Sequence, residues 1–522
     1  EPNRLVADLI NMSANTLMMN TGGIVAFYPT DLPYHFTNPY LAQGNGTIRD
    51  LIGETVTACH QAGVRFIARF DFSKADESVF AAHPDWFYQN AAGERMRFNG
   101  TVATCVNGWY QREGALEILR EALGRFDVDG VFFNMFGYQT RDYSGRSFGI
   151  CHCDGCRAAF LEDTGLPLPP DDDPENAAWP VYRRFQHGTT RNMLNRIRAL
   201  VKGIRPDIAI STYDEQSVDM VRKESNTELD RPYPTWQYSA SENVQSLEDA
   251  WHNKTVSNCC INAVGLDVRF MGVSPHLVES RLYGNLAAGS GLDFCIIGDF
   301  PDYPDMAGPR AAANVFRFAA EHESEYGVFR SMAEIALVKP DRFASKEAFT
   351  CYLGSYRALK ERHMPFEVLH AENLMDGLAH GRGRLRAVLL PALSRLDPDA
   401  VHLLAELRQE GVHLIATGCV PENLPLGAFP LRTDMSLIPS RSAYLQVEGG
   451  RHPSFPDNKF VFLSGAVHPI QYLDNPYPAT HTEPDGVLAH TPDVLADSIA
   501  SSQDTAGYAL AEATAEPRHA SH

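Results

Sequence analysis

The chain has 522 residues, of which 44% are hydrophobic and 21% charged, so it is long enough for two or three cores and too apolar for a disordered protein. Lys and Arg number 45 and Asp and Glu 65, a net charge of −20, which repels nucleic-acid phosphates and anionic membrane surfaces and favours a neutral or cationic small-molecule partner. No apolar run approaches the ~18 residues of a membrane span. Glu1-Pro2-Asn3-Arg4 shows no secretory n-region or h-region, as trimming of a leader would also leave it, and ten cysteines, too sparse for a disulfide scaffold, give the expectation of a reducing, cytoplasmic setting.

Short, mostly apolar runs recur at 24–30, 66–72, 103–107, 130–136, 208–213, 235–240, 256–263 and 292–299. Such runs read as parallel strands buried on both faces. Helical stretches lie between several of them. In 112–126 the residues Leu116, Leu119, Leu123 and Phe126 share one face, and in 189–204 Leu194, Ile197, Val201 and Ile204 do the same. Eight alternating units predict an α/β fold, a (β/α)8 TIM barrel over 1–330. A boundary near Tyr326–Met332 opens a second pattern, with strands at 334–338, 366–369, 387–390 and 412–416. Its helix over 398–410 carries Asp397 as N-cap, Pro398 in the first turn and Gly411 just past the end. This predicts an open, doubly wound α/β domain over 331–475, followed by an irregular tail over 476–522.

Cys151-His152-Cys153-Asp154-Gly155-Cys156 places three thiols within six residues, directly after a predicted strand. That spacing suits a tetrahedral zinc site in need of one more ligand. Cys105, at the end of the preceding predicted strand, is the first candidate, and His152 is the alternative. Four thiolates leave no open position, so the zinc is expected to be structural.

Cys105 together with Cys-x-Cys-x-x-Cys over 151–156 resembles glycoside hydrolase family 42, the zinc-containing β-galactosidases. A less characterised group of glycoside hydrolases of the same architecture is closer still, on the motifs Arg69-Phe70-Asp71-Phe72-Ser73-Lys74, His83-Pro84-Asp85-Trp86 and Cys105-Val106-Asn107-Gly108. Further matches are Asp129-Gly130-Val131-Phe132-Phe133-Asn134, Gly137-Tyr138-Gln139-Thr140 and Arg222-Lys223-Glu224-Ser225-Asn226. The resemblance implies a glycosidase barrel followed by a flavodoxin-like trimerisation domain, and hence a homotrimer. It also exposes a departure. Where family 42 ends its fourth strand in Asn-Glu, this chain has Asn134-Met135, and the family's seventh-strand Glu has no counterpart in Cys259-Cys260-Ile261-Asn262-Ala263. Both family carboxylates are missing.

Glycoside cleavage ordinarily uses two carboxyl groups, which in a barrel project from the C-terminal ends of the strands. Glu224 is the first candidate, because Arg222 and Lys223 beside it can hold it ionised. Asp71, flanked by Arg69 and Lys74, is the second, and bracing Lys74 or binding a hydroxyl is its other role. Asp142 lies in a polar loop able to replace the acid lost at 135, and Glu215 is a candidate acid next to Asp214. Asn107, Asn134, Gln139, Arg222 and Asn226 are expected to bind sugar hydroxyls, and Trp86, Tyr138 and Trp236 to stack on sugar faces. The function expected is hydrolysis of a small glycoside or oligosaccharide. The alternatives are a carbohydrate-binding barrel without catalysis and a zinc-assisted hydrolase.

Overall fold

A computed structural model describes residues 1–472 except 143, 174–175, 226–232, 252, 266–269, 299–302, 327–330, 420, 425–430, 434–439, 447–459 and 468–469. The tail expected over 476–522 lies outside the described residues. The chain divides into two compact units, Glu1–Ser331 and Met332–His522. No helix among the described residues is long and apolar enough to cross a membrane.

The first unit is built on one sheet of seven strands that follow each other in chain order. They are β1 (Thr16–Gly23), β2 (Arg65–Asp71), β3 (Gly130–Asn134), β4 (Ala209–Thr212), β5 (Met220–Ser225), β6 (Thr255–Ile261) and β7 (Gly291–Cys295). Every neighbouring pair is parallel. Helices occupy most of the connections, as parallel pairing requires. The result is a parallel half-barrel consistent with a TIM barrel.

Side chains alternate along a strand, so the register sorts them onto two faces. Phe66, Phe70, Val131 and Phe133 turn outward and pack with Ile118 and Ile197 of the covering helices. Each such buried side chain contributes roughly 1.5–3 kcal/mol. The opposite face carries Asn20, Arg69, Phe132 and Ser211 side by side, with Asp71 and Asn134 one step further toward the strand ends. By the same alternation Arg222, Glu224, Cys259 and Asp293 face the same way. Over β2 and β3 the outer face is apolar, while the inner face gathers charged and polar groups toward the strand ends.

Three expectations about the strands are corrected. The first strand is Thr16–Gly23 rather than 24–30, which forms a loop. The run at 103–107 is not part of the parallel sheet, and β2 pairs directly with β3. Thr101–Ala103 instead joins a small antiparallel sheet with Lys74–Asp76 and Arg97–Phe98. Beyond it the backbone turns at Gly108, where a Cβ would approach the Trp86 carbonyl oxygen to 2.3 Å. The run at 235–240 lies in a helix, Tyr233–Glu248. Its true period shows in Ala240, Val244 and Leu247, all buried, which repeat at i, i+4 and i+7.

That helix also carries a pH-sensitive group. Burial raises the Glu248 carboxyl from 4.5 to about 7, against the pull of the Val256 backbone N–H. Between those two values the folded chain keeps a proton that the unfolded chain has released, so stability falls as pH rises through that window and stays lower above it. Glu248→Gln, neutral at every pH, is expected to narrow the difference between urea midpoints at pH 5 and pH 8. An unchanged difference would show that Glu248 titrates normally.

The second unit holds a four-stranded parallel sheet: β8 (Ile335–Lys339), β9 (Glu367–His370), β10 (Ala387–Pro391) and β11 (His413–Thr417). The spatial order is β9-β8-β10-β11, so successive connections leave β8 on opposite sides. All four strands overlap the runs read from the sequence. The helix Pro398–Gln409 is capped as expected, with the Asp397 carboxylate accepting from Asp399 N at 2.9 Å and Ala400 N at 3.4 Å. Gly411 follows with φ +95°, a conformation that favours glycine.

Candidate functional site

Two clusters of chemistry-bearing side chains stand in the first unit. The first is buried. Cys105, Cys151, Cys153 and Cys156 bring their four Sγ atoms within 4.8 Å of one another. Cys105 Sγ lies 3.3 Å from that of Cys156, 3.4 Å from Cys153 and 3.7 Å from Cys151. Four thiolates bound to zinc at about 2.3 Å hold their sulfurs roughly 3.8 Å apart, so the spacing fits. None of the four is in a disulfide. The donor set is all sulfur, and N–H groups point at it: Asn107 N donates to Cys105 Sγ and Asn107 Nδ2 to Cys156 Sγ, both at 3.3 Å. Such bonds orient and stabilise anionic sulfur. His152 is set between the ligating cysteines, and its Nε2 is buried without a partner. This four-cysteine cluster can bind a metal such as zinc.

This arrangement relocates two residues expected at a sugar site. Asn107 serves the cysteines, and its Nδ2 also donates to the Tyr138 hydroxyl at 2.8 Å. Tyr138 packs against the same cluster. Trp86 stacks on His83 at 3.8 Å and on Trp109 at 4.3 Å, so its faces are engaged by its own chain. Gln139 donates to the Met135 carbonyl at 3.2 Å. Met135 itself has φ +48°, a left-handed conformation that costs a non-glycine residue about 1–2 kcal/mol. Asp142 is exposed and closes its own turn, accepting from Ser144 N and Oγ and from Arg146 N. Glu215 is buried with Lys223 Nζ at 4.0 Å, and Lys223 points to the face of β5 opposite Glu224. Asn226 and the Trp236 side chain lie outside the described residues.

The second cluster lies at the C-terminal ends of β2 to β7 and is one continuous chain of hydrogen bonds. Asp71 Oδ1 accepts from Ser73 N at 3.0 Å and Ser73 Oγ at 2.6 Å, and Oδ2 accepts from Asn134 Nδ2 at 2.8 Å. The Tyr213 hydroxyl lies 2.8 Å from Asn134 Oδ1 and 2.9 Å from Glu224 Oε1. Arg222 Nη1 donates to the same Glu224 oxygen at 2.7 Å, while its Nε donates to Asp293 Oδ2 at 2.6 Å. The guanidinium carbon sits 4.9 Å from the centre of the Phe132 ring. Burial, with Glu224 next, pushes the Tyr213 phenol well up, so it stays protonated and can donate. Burial opposes the Arg222 charge, yet the anionic groups facing it, Asp293 and Glu224 among them, raise its pKa.

Glu224 is therefore held by one oxygen. Oε1 has two donors, Oε2 has none among the described residues, and the side chain is 28% exposed. Asp71, 7% exposed, has both oxygens occupied. Tyr213 and Asp293 are members of this chain that the sequence reading missed. The available signal was Asp293, a charge inside the apolar run 292–299, which is rarely buried without a partner.

Residues 1–135 match the family model described as Hypothetical glycosyl hydrolase 6, GHL6. No curated protein matches the sequence. Among solved structures, the chain is similar to alpha-L-fucosidase isoenzyme 2 from Paenibacillus thiaminolyticus, with a TM-score of 0.65 at 15% identity over 91% of this chain and 69% of that one. It is similar to the E323A variant of Gan42B, a GH42 beta-galactosidase from G. stearothermophilus, with a TM-score of 0.64 at 15% identity over 90% and 77%. A beta-galactosidase from Bacillus circulans sp. alkalophilus gives 0.65 at 13% over 90% and 78%. At these identities the likeness is one of fold. It agrees with the resemblance drawn from the cysteine spacing.

Proposed function

We propose that the protein is a glycoside hydrolase in which Glu224 is the working carboxylate at the mouth of a (β/α)8 barrel. The observation that carries this reading is the hold on Glu224. Tyr213 and Arg222 fix one oxygen and leave the other open at a strand end, the arrangement a nucleophile or base needs. The fold likeness to fucosidase and β-galactosidase structures, and the GHL6 match over 1–135, support the reaction class.

Asp71 is the second carboxylate of the proposal. In its present bonding it orients Asn134, which in turn meets Tyr213, and proton exchange with a leaving group would require it to release one of its donors. Arg222, neutralised by Asp293, sets the position of Glu224 and stabilises its charge. Cys105, Cys151, Cys153 and Cys156 would hold a structural zinc, whose four-sulfur coordination leaves no site for a substrate. The second unit is proposed to be the flavodoxin-like trimerisation domain; light scattering that gave only monomer would overturn that role. The test of the reaction is hydrolysis of a panel of nitrophenyl α- and β-glycosides, wild type beside Glu224→Gln.

Binding without catalysis is the second reading, favoured by Met135 standing where the related β-galactosidases carry an acid. Sugar binding by calorimetry with no turnover across the panel would select it.

A further inference from the structure

On the inner face of the sheet Arg69 has no counter-ion among the described residues. Arg69 lies on the inner face of β2, two residues before Asp71, beside Asn20 of β1 and Phe132 of β3. Its guanidinium donates to the Asn20 side-chain oxygen. No carboxylate among the described residues comes within ion-pair distance of it, whereas Arg222, the other guanidinium of this face, is held by two. Arg69 is half-buried and Asn20 exposed, so the group is open to whatever enters. Its charge is felt by Tyr213, whose hydroxyl touches Glu224. Arg69 and Glu224 thus stand on the same inner face of the sheet.

A guanidinium offers five N–H donors in a rigid fork, and this one spends a single bond on protein. A neutral sugar seated over Glu224 would take water from a charge and give no charge in return, which is costly. A sugar bearing its own anion removes that cost. We propose that the sugar bound at this mouth carries a negatively charged substituent, a carboxylate or a sulfate ester, and that Arg69 is its counter-ion. This rests on the glycosidase reading and names its substrate class. Two residues along a strand place Arg69 roughly 6.6 Å deeper than Asp71, so the anion is drawn to the floor, away from the carboxylates at the rim. The fork geometry suits either oxyanion. With a net charge of −20, the long-range field does not attract such a ligand, and selection falls to this local contact.

Calorimetry with glucuronic acid, galacturonic acid and galactose 6-sulfate, beside glucose and galactose, tests the proposal. The wild type is expected to bind at least one anionic sugar roughly ten- to a hundredfold more tightly than its neutral parent. Which anion shows the preference separates carboxylate from sulfate. R69Q, checked for an unchanged Tm, is expected to lose that preference while holding neutral sugars as before, and R69K to keep part of it. Equal affinity for charged and neutral sugars, a preference that survives in R69Q, or no binding of any of the five overturns the proposal. Glu224-dependent turnover of nitrophenyl glycosides in which the uronide is no better a substrate than its neutral parent, in wild type and R69Q alike, would overturn the anion and spare the hydrolase. Arg69-dependent anion binding with no turnover of any nitrophenyl glycoside or uronide would do the reverse.

Discussion

Glu224→Gln is expected to lower kcat on any glycoside the protein hydrolyses by about 10³-fold or more, with little change in fold. The amide keeps the oxygen that accepts from Tyr213 and Arg222 but can neither attack an anomeric carbon nor hold a proton. Its second position, Oε2 in the native chain, has no partner to lose among the described residues, so stability has little reason to change. Glu224→Ala refines the assignment. Where Glu224 is the nucleophile, azide attacks the anomeric carbon from the vacated space, expels the leaving group and yields a glycosyl azide of inverted configuration; where it is the acid/base of a double displacement, azide attacks the glycosyl-enzyme intermediate, releases the carboxylate and yields the azide of retained configuration. Normal turnover by Glu224→Gln would remove this residue from the mechanism.

Loss of the zinc proposed at the four cysteines is expected to give the second large effect, on stability rather than chemistry. Elemental analysis should find one zinc per chain, and cobalt substitution should give the intense sulfur-to-metal absorption of a four-thiolate site. Cys153→Ser or exhaustive chelation is expected to lower Tm by about 10 °C or more, because leaving three buried thiols without their ion costs several kcal/mol. The cluster joins a loop following β2, through Cys105, to the segment following β3, through Cys151 to Cys156, so its loss frees both. Turnover per folded molecule should survive. Activity that instead tracked metal content at constant fold would revive the zinc-assisted hydrolase.

Much of this was legible in the sequence because it depends on local spacing. Three thiols in six residues announce a metal site, and the caps of the helix Pro398–Gln409 are written in Asp397, Pro398 and Gly411. The strands of the second unit were equally plain, being apolar runs bounded by turn residues. In the first unit β5 was not. Met220–Ser225 contains Arg222, Lys223 and Glu224, and a strand whose inner face lines a polar mouth breaks the apolar pattern by which buried strands are recognised. Where 235–240 was read as a strand, a short apolar run could not be told from a helix segment by period alone.

Site assignment divided the same way. Glu224 and Asp71 were candidates on the strength of their neighbours in sequence, and the fold sets both toward strand ends. That Tyr213 and Asn134 link the two, and that Asp293 shares Arg222 with Glu224, depends on register between strands separated by up to some 79 residues of chain. Asn107 and Tyr138 show the limit from the other side. Both are the polar or aromatic types that bind sugars, yet the fold turns them onto the cysteines, because buried sulfurs need donors as much as a ligand would. Composition and spacing by themselves pointed to an α/β chain with a clustered set of cysteines and a carboxylate beside two cations. Only the tertiary structure decided which polar side chains share the mouth, since a strand's facing and register are settled by pairing with distant neighbours and not by its own residues.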